Sequence, residues 1–166
     1  MLIRRETARD VADIRAVTTA AFGRPVEAAL VDDLRADPAW LPALSLVATG
    51  QNGAVIGHVL ATRAQVGTVP VLGLGPLSVA PDHQRTGVGS ALMHAVLGAA
   101  EALDEPLVSL LGDPAYYRRF GFQPSTDYGI EPPLAQWRPH FQVRPLSAHV
   151  PALRGTFTYA PPFDQV

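Results

Sequence analysis

Between residues 72 and 103 a β-prone run, a glycine-punctuated turn and an amphipathic helix follow one another, and no other stretch constrains the fold as tightly. Residues 72–79 are apolar and Pro81 stops them. From Val88 the apolar positions Val88, Ala91, Leu92, Ala95, Val96, Ala99 and Leu103 recur at helical spacing. Gly87 and Gly89 therefore stand at a helix N-terminus. The N–H groups of a first helical turn lack intrahelical acceptors and carry the positive end of the helix dipole, so such a turn suits a phosphate. Glycine leaves the backbone bare where a ligand approaches, while Val88 between the two can point into a core. Taken alone, the same Gly-x-Gly also suits a tight loop whose glycines only let the chain turn.

Composition narrows the function classes. Thirteen basic against fifteen acidic residues give a net charge of −2 without any basic block, so the footprint of a nucleic-acid binder is missing. With 48% hydrophobic and 17% charged residues, residues 1–166 are expected to form one domain with a core of its own. No apolar stretch approaches the roughly 20 residues that span a bilayer, and the start of the chain lacks a signal-peptide core, so a cytoplasmic protein without membrane partners is expected. The chain has no cysteine, which excludes disulfides, thiolate metal sites and a cysteine nucleophile. It has no lysine either, which excludes a Walker-type phosphate loop and a pyridoxal Schiff base. His58, His83, His94, His140 and His149 include no pair at metal-ligand spacing, so no metal is expected.

Along the chain, residues 2–5 read as a short strand and residues 7–10 open a helix with Val11, Ile14, Val17, Thr18 and Ala21 on one face. A second helix follows Gly23-Arg24-Pro25, with Val26, Ala29, Leu30 and Leu34 inward and Glu27, Asp32 and Asp33 toward solvent or a cleft. Asn52-Gly53 between the apolar runs 44–49 and 54–64 predicts a hairpin, to which a strand over 69–79 is added. Gly73, Gly75 and Pro76 interrupt that strand, and since proline donates no ladder bond, a bulge or splay is expected near Pro76. Residues 106–111 read as a buried strand reached by a helical crossover, hence parallel to its predecessor. Asp113-Pro114 caps a short helix that stops at Gly121. Half of the 16 prolines follow Phe122, and residues 123–166 read as a closing segment: an irregular, lid-like stretch over 124–139, then strands near 141–144 and 156–159.

The segment Leu77-Ser78-Val79-x-Pro81-x-x-Gln84-Arg85-Thr86-Gly87-Val88-Gly89-Ser90-Ala91-Leu92, followed by Tyr117-Arg118-Arg119-Phe120-Gly121-Phe122, resembles the GNAT acetyltransferase superfamily. The first part matches its Gln/Arg-x-x-Gly-x-Gly/Ala signature and the second its Tyr-x-x-x-Gly-Phe ending. The resemblance runs from Leu2 to Phe122, about three quarters of the chain. It implies an α/β (α+β) fold with a mixed, largely antiparallel sheet, a central splayed parallel strand pair and flanking helices. A Rossmann-like site fits less well, because Leu92 stands where a third small residue is needed and Pro81 to Thr86 separate strand from turn.

The resemblance further implies acetyl-CoA as cosubstrate. Gln84 would open the turn, and the N–H groups of Arg85, Thr86, Gly87, Val88, Gly89 and Ser90 would hold the coenzyme A diphosphate. The pantetheine arm would lie beside Leu77, Ser78 and Val79, and a strand N–H near Leu77 would polarise the thioester carbonyl. Tyr117 occupies the position from which family members protonate the departing thiolate, with Tyr116 as the alternative one residue away. An alkylammonium with a pKa near 10.4 must lose a proton before attack, so a carboxylate or water chain is required. Glu27 is the preferred base among Glu27, Asp32, Asp33 and Asp113, none of which a family motif fixes. Many family members carry an asparagine about two turns before the tyrosine; here Asp113 stands nearby and reads first as a helix cap. The expected activity is N-acetylation of a small-molecule, peptide or protein amine by direct transfer in a ternary complex. The alternative is a coenzyme A-binding sensor without turnover. A homodimer is compatible with this reading, which leaves oligomeric state open.

Overall fold

A computed structural model describes residues 1–166. Its organising element is a nine-stranded sheet built around the strand pair on which the sequence is clearest. Strands β1 (Leu2–Arg5), β2 (Ser45–Thr49), β3 (Val55–Val66), β4 (Val69–Val79), β5 (Leu107–Leu111), β8 (Phe141–Pro145) and β6 (Gln123–Pro124) lie side by side in that order. The β7 strand (Ile130–Glu131) pairs with β9 (Gly155–Thr158), which joins the far end of β3 through Gln65 and Val66. Every pairing is antiparallel except β4 with β5 and β7 with β9. The fold is thus the mixed, mostly antiparallel α/β arrangement expected.

Helices cover both faces, and strand periodicity decides which residue meets which helix. Leu46 and Ala48 turn toward α3 (Val88–Ala102), whereas Val47 between them packs with Ile14 and Val17 of α1 (Val11–Phe22) and with Leu30, Val31 and Leu34 of α2 (Val26–Ala36). The start of α3 lies directly on β3 at Gly57. A Cβ there would stand 2.9 Å from the Leu92 Cδ1 and 3.1 Å from Val88, so this contact holds the glycine turn against the sheet.

Two helix faces differ from the sequence expectation. In α2 the buried positions are Glu27, Ala28, Leu30, Val31 and Leu34, while Val26 and Ala29 are exposed. The face is rotated because Arg24 pairs with the Glu27 carboxylate, so a charged residue goes inside. In α3 Met93, Leu97 and Ala100 join the core, and Leu103, just past the helix end, is exposed.

The interruption expected in β4 is present. Val59 pairs with Leu77 and Ala61 with Leu74, so Gly75 and Pro76 together oppose Leu60 as a bulge. The β4–β5 pairing extends only over Leu72 with Val108 and Gly73 with Ser109. Beyond Gly73 the two strands diverge, and the β4 edge from Leu77 onward is open.

Beneath α2 lies a polar network: Glu6 accepts from Arg35 Nε at 2.7 Å, from Ser45 Oγ, and from His58 Nε2 at 3.2 Å. Burial pushes the Glu6 carboxyl up, but the bonds from His58, Arg35 and Ser45 outweigh it and hold the pKa at about 2. Burial in turn keeps His58 neutral by lowering its pKa. Both groups bind protons more readily in the unfolded chain, so stability falls with acidification, first below pH 6.5 through His58, then from about 4.5 to about 2 through Glu6. The Glu6 contribution is on the order of 2 kcal/mol. Thermal unfolding across this range should show the fall, and Glu6→Gln should flatten its lower part; an unchanged slope in that variant would remove Glu6 from the account.

Candidate active site

The turn between β4 and α3 leaves its backbone donors unpaired. After a 3-10 turn over Pro81–His83, Arg85 and Gly87 take positive φ angles of 61° and 94° before α3 begins. The N–H groups of residues 85–90 make no hydrogen bond to any other backbone group. Gln84 Nε2 donates to the Val79 carbonyl at 3.1 Å, and Thr86 Oγ1 to the His83 carbonyl at 2.5 Å, so side chains brace the turn from below.

The turn forms the floor of a cavity of about 720 Å³. Leu77 and Val79 line one side, Ala21 and Phe22 another, and Tyr116 and Arg119 the far wall. Arg85 and Arg119 both face this space and no carboxylate does, which suits a polyanion. Arg119 lies 4.7 Å from the Tyr116 ring centroid, and its Nε donates to the Tyr116 carbonyl at 3.0 Å. By sequence Arg118 and Arg119 suit either phosphate contact or a solvated place at a helix end, the second being the commoner; Arg119 lines the cavity and Arg118 does not.

The residues singled out in this region divide into two sets. Leu77, Val79, Gln84, Arg85, Gly87, Gly89 and Ser90 line the cavity. Ser78 does not: it is buried, with its hydroxyl 3.1 Å from Thr18 Oγ1. The Ala80 N–H donates to the Ile56 carbonyl, so alternation along β4 turns the Ser78 backbone toward β3 and those of Leu77 and Val79 to the open edge. Val88 is buried in the core and Thr86 is exposed, and neither lines the cavity.

A second cavity, of about 540 Å³, meets the first at Phe22 and Leu77, where β4 and β5 diverge. Tyr117 lines this second space and Tyr116 the first, which separates two tyrosines adjacent in sequence. The helix α4 (Pro114–Tyr117) fixes both. Asp113 caps it by accepting from the Ala115 N–H at 2.9 Å, and Gly121 ends the following turn in the left-handed conformation. The Tyr117 ring covers Gly112, where a Cβ would stand 2.5 Å from Cε2, and meets the Tyr116 ring edge-on at 4.8 Å. Burial, with a smaller push from Tyr116, raises the Tyr117 phenol to about 12, so it stays protonated at neutral pH.

Of the four carboxylates considered as bases, only Glu27 lines the second cavity. It is buried, and Arg24 Nε donates to both of its oxygens, at 3.0 and 3.1 Å. Asp32 is engaged by Arg15 and Arg35, Asp33 is exposed, and Asp113 serves as the cap. The rest of the lining was only partly foreseen. Pro133 and Trp137 come from the lid-like stretch, but Phe157, Tyr159, Phe163 and Asp164 come from β9 and the chain after it. Alternation of Phe157 and Tyr159 was the available signal. No group of three or more His, Asp or Glu side chains is placed to hold a metal ion, and no helix is long and apolar enough to cross a membrane.

Comparison with known proteins gives the family and agrees with the fold. The family model described as an acetyltransferase (GNAT) domain matches residues 2–125. The Escherichia coli (strain K12) protein YjhQ, an uncharacterized N-acetyltransferase, is 35% identical over 161 residues, covering 92% of this chain and 88% of its own. The crystal structure of the GNAT family N-acetyltransferase YhbS from Escherichia coli in complex with CoA superposes with a TM-score of 0.92 at 31% identity, covering 98% of this chain and 91% of that one. A GNAT family acetyltransferase from Brucella melitensis in complex with acetyl-CoA gives a TM-score of 0.81 at 35% identity, covering 98% of this chain and 97% of that one.

Proposed function

The chain belongs to the GNAT acetyltransferase family, and from that premise we propose that it moves an acetyl group from acetyl-CoA to a primary amine by direct transfer in a ternary complex. The observation that carries the reading is the meeting of two cavities at Leu77. One is floored by unpaired N–H groups and flanked by arginines; the other holds a tyrosine and a carboxylate.

The diphosphate binds at the N–H groups of residues 85–90, and the pantetheine arm runs along the open β4 edge at Leu77 and Val79. The Leu77 N–H, facing that edge, donates to the thioester oxygen as it gains negative charge. Glu27, reached directly or through water, draws in the ammonium and relays its proton away; freeing an ordinary alkylamine at pH 7 costs about 4.6 kcal/mol. The free amine attacks the carbonyl carbon, a C–N bond forms and the C–S bond breaks. Tyr117 donates its hydroxyl hydrogen to the departing sulfur. A phenol near 12 is a weaker acid than a thiol near 8.5, so Tyr117 gives up its proton only as the adduct nitrogen replaces it. The products are the amide, the thiol and one released proton.

With no cysteine in the chain, no acyl-cysteine intermediate is available. Initial rates measured over a grid of acetyl-CoA and amine concentrations should give intersecting double-reciprocal lines. Parallel lines, the signature of a covalent acetyl-enzyme, would overturn direct transfer.

A further inference from the structure

We propose that the acceptor is a small monoamine with an apolar, ring-sized body and no anionic group; the proposal rests on the acetyl-transfer reading above. The second cavity carries the argument through its charge and its walls. Hydrophobic residues make up 12 of its 19 lining positions, and none of the remainder is arginine or histidine, so a carboxylate or phosphate on the substrate would be buried without a cationic partner. The only carboxylate side chains are Glu27, which is buried inside, and Asp164, which is exposed at the rim. Arg24 grips Glu27 from outside the lining and is itself largely exposed, so it is not presented to a ligand. The cavity therefore favours one positive charge near Glu27 and repels negative charge.

The walls define the body of the substrate. Tyr159 stacks on Phe163 at 4.4 Å with planes 29° apart, and Phe157 meets Tyr159 edge-on at 4.7 Å. Tyr159 lies flat on β4 because residue 73 is glycine; a Cβ there would stand 2.9 Å from two ring carbons. The aromatic wall is thus braced by the sheet, with Trp137 contributed from the lid-like stretch. Tyr159 is held between Gly73 and Phe163 and Phe157 is fully buried, so the wall is a rigid apolar surface that suits an apolar, ring-sized body. A polyamine would bury charges beyond those that Glu27 and Asp164 can meet, and a peptide lysine would bring backbone amides to walls that offer them few partners.

The wall residues all lie after residue 125, outside the segment that matches the family model, whereas the phosphate turn lies within it. The aromatic wall comes from residues 133–164, while Glu27, Tyr117 and the β4 and β5 residues of the same cavity lie within the matched segment.

The test is thiol release at saturating acetyl-CoA with 2-phenylethylamine, phenylalanine, spermidine and a lysine-containing peptide capped at its N-terminus. The kcat/KM for 2-phenylethylamine should exceed each of the others by about 10-fold or more. Trp137→Ala and Phe163→Ala should raise its KM by about 10-fold without altering the KM for acetyl-CoA. Asp164→Arg, a change at an exposed position, should narrow the gap between 2-phenylethylamine and phenylalanine by about 10-fold. Equal or better use of phenylalanine, spermidine or the peptide would overturn the substrate class and leave acetyl transfer standing. Thiol release with other amines but none of the four would overturn the substrate class alone, whereas bound acetyl-CoA with no thiol released by the four or by a wider amine panel together would overturn acetyl transfer and the substrate class with it.

Discussion

Gly87→Val lowers affinity for acetyl-CoA by at least about 100-fold, read by calorimetric titration, while the protein stays folded. A tenfold loss corresponds to about 1.4 kcal/mol, and each charge-assisted hydrogen bond to a phosphate contributes about 1.5–3 kcal/mol, so losing one or two is enough. Gly87 has a φ of 94°, where a side chain is strained, and no atom lies within 4 Å of the position its Cβ would take. A Cβ added there therefore meets no protein atom, and on the proposed reading the side chain at this cavity-lining position competes with the diphosphate. Strain at this residue costs about 1–2 kcal/mol and lowers the unfolding temperature by a few degrees. Gly87→Ala should fall between wild type and valine. Unchanged affinity in the valine variant would take the phosphate away from this turn.

Tyr117→Phe has the second large effect, on turnover instead of binding. The phenol faces the cavity where the strands part, not the cavity floored by the turn. Its loss should lower kcat by about 100-fold, the low end of what a positioned proton donor contributes, with the acetyl-CoA dissociation constant changed by no more than about twofold. Tyr116→Phe should do the reverse, leaving kcat near wild type and weakening acetyl-CoA slightly, because its hydroxyl borders Gly89 at the turn, 3.1 Å from where a Cβ on that glycine would be. Since the Tyr117 phenol titrates near 12, kcat should climb from pH 6 to 9 as the amine sheds its proton, with no descending limb from Tyr117 in that range. Wild-type turnover in Tyr117→Phe would remove the residue from the reaction.

The sequence signals that proved readable are those with a local cause. Asn52-Gly53 can only turn a hairpin between its apolar neighbours. Pro76 cannot donate to a ladder, and the bulge is found there. Asp113-Pro114 and Gly121 bracket a short helix in just the order helix ends require. The α2 face is less readable, because a charged side chain is assigned outward, whereas Glu27 is buried with its charge met by Arg24 three residues earlier.

Nonlocal pairing hid the acceptor wall. Residues 156–158 reach the cavity because β9 pairs with Gln65 and Val66, some ninety positions earlier, and no periodicity within 123–166 encodes that. The motif prefers Tyr117, and Tyr116 stays as its alternative for a related reason. They differ by about 100° around a helix, and only the place where α4 docks decides which cavity each one enters.

The most direct test of acetyl transfer is a single turnover with protein in excess over acetyl-CoA, adding an acceptor amine and following free thiol and acetylated amine together. Because the chain contains no cysteine, all thiol detected comes from the cosubstrate. The account predicts that thiol and amide appear at the same rate and in equal amounts, and only when amine is present. Acetyl-CoA that binds at the turn yet yields neither product with any amine would contradict it and leave a coenzyme A-binding protein without turnover.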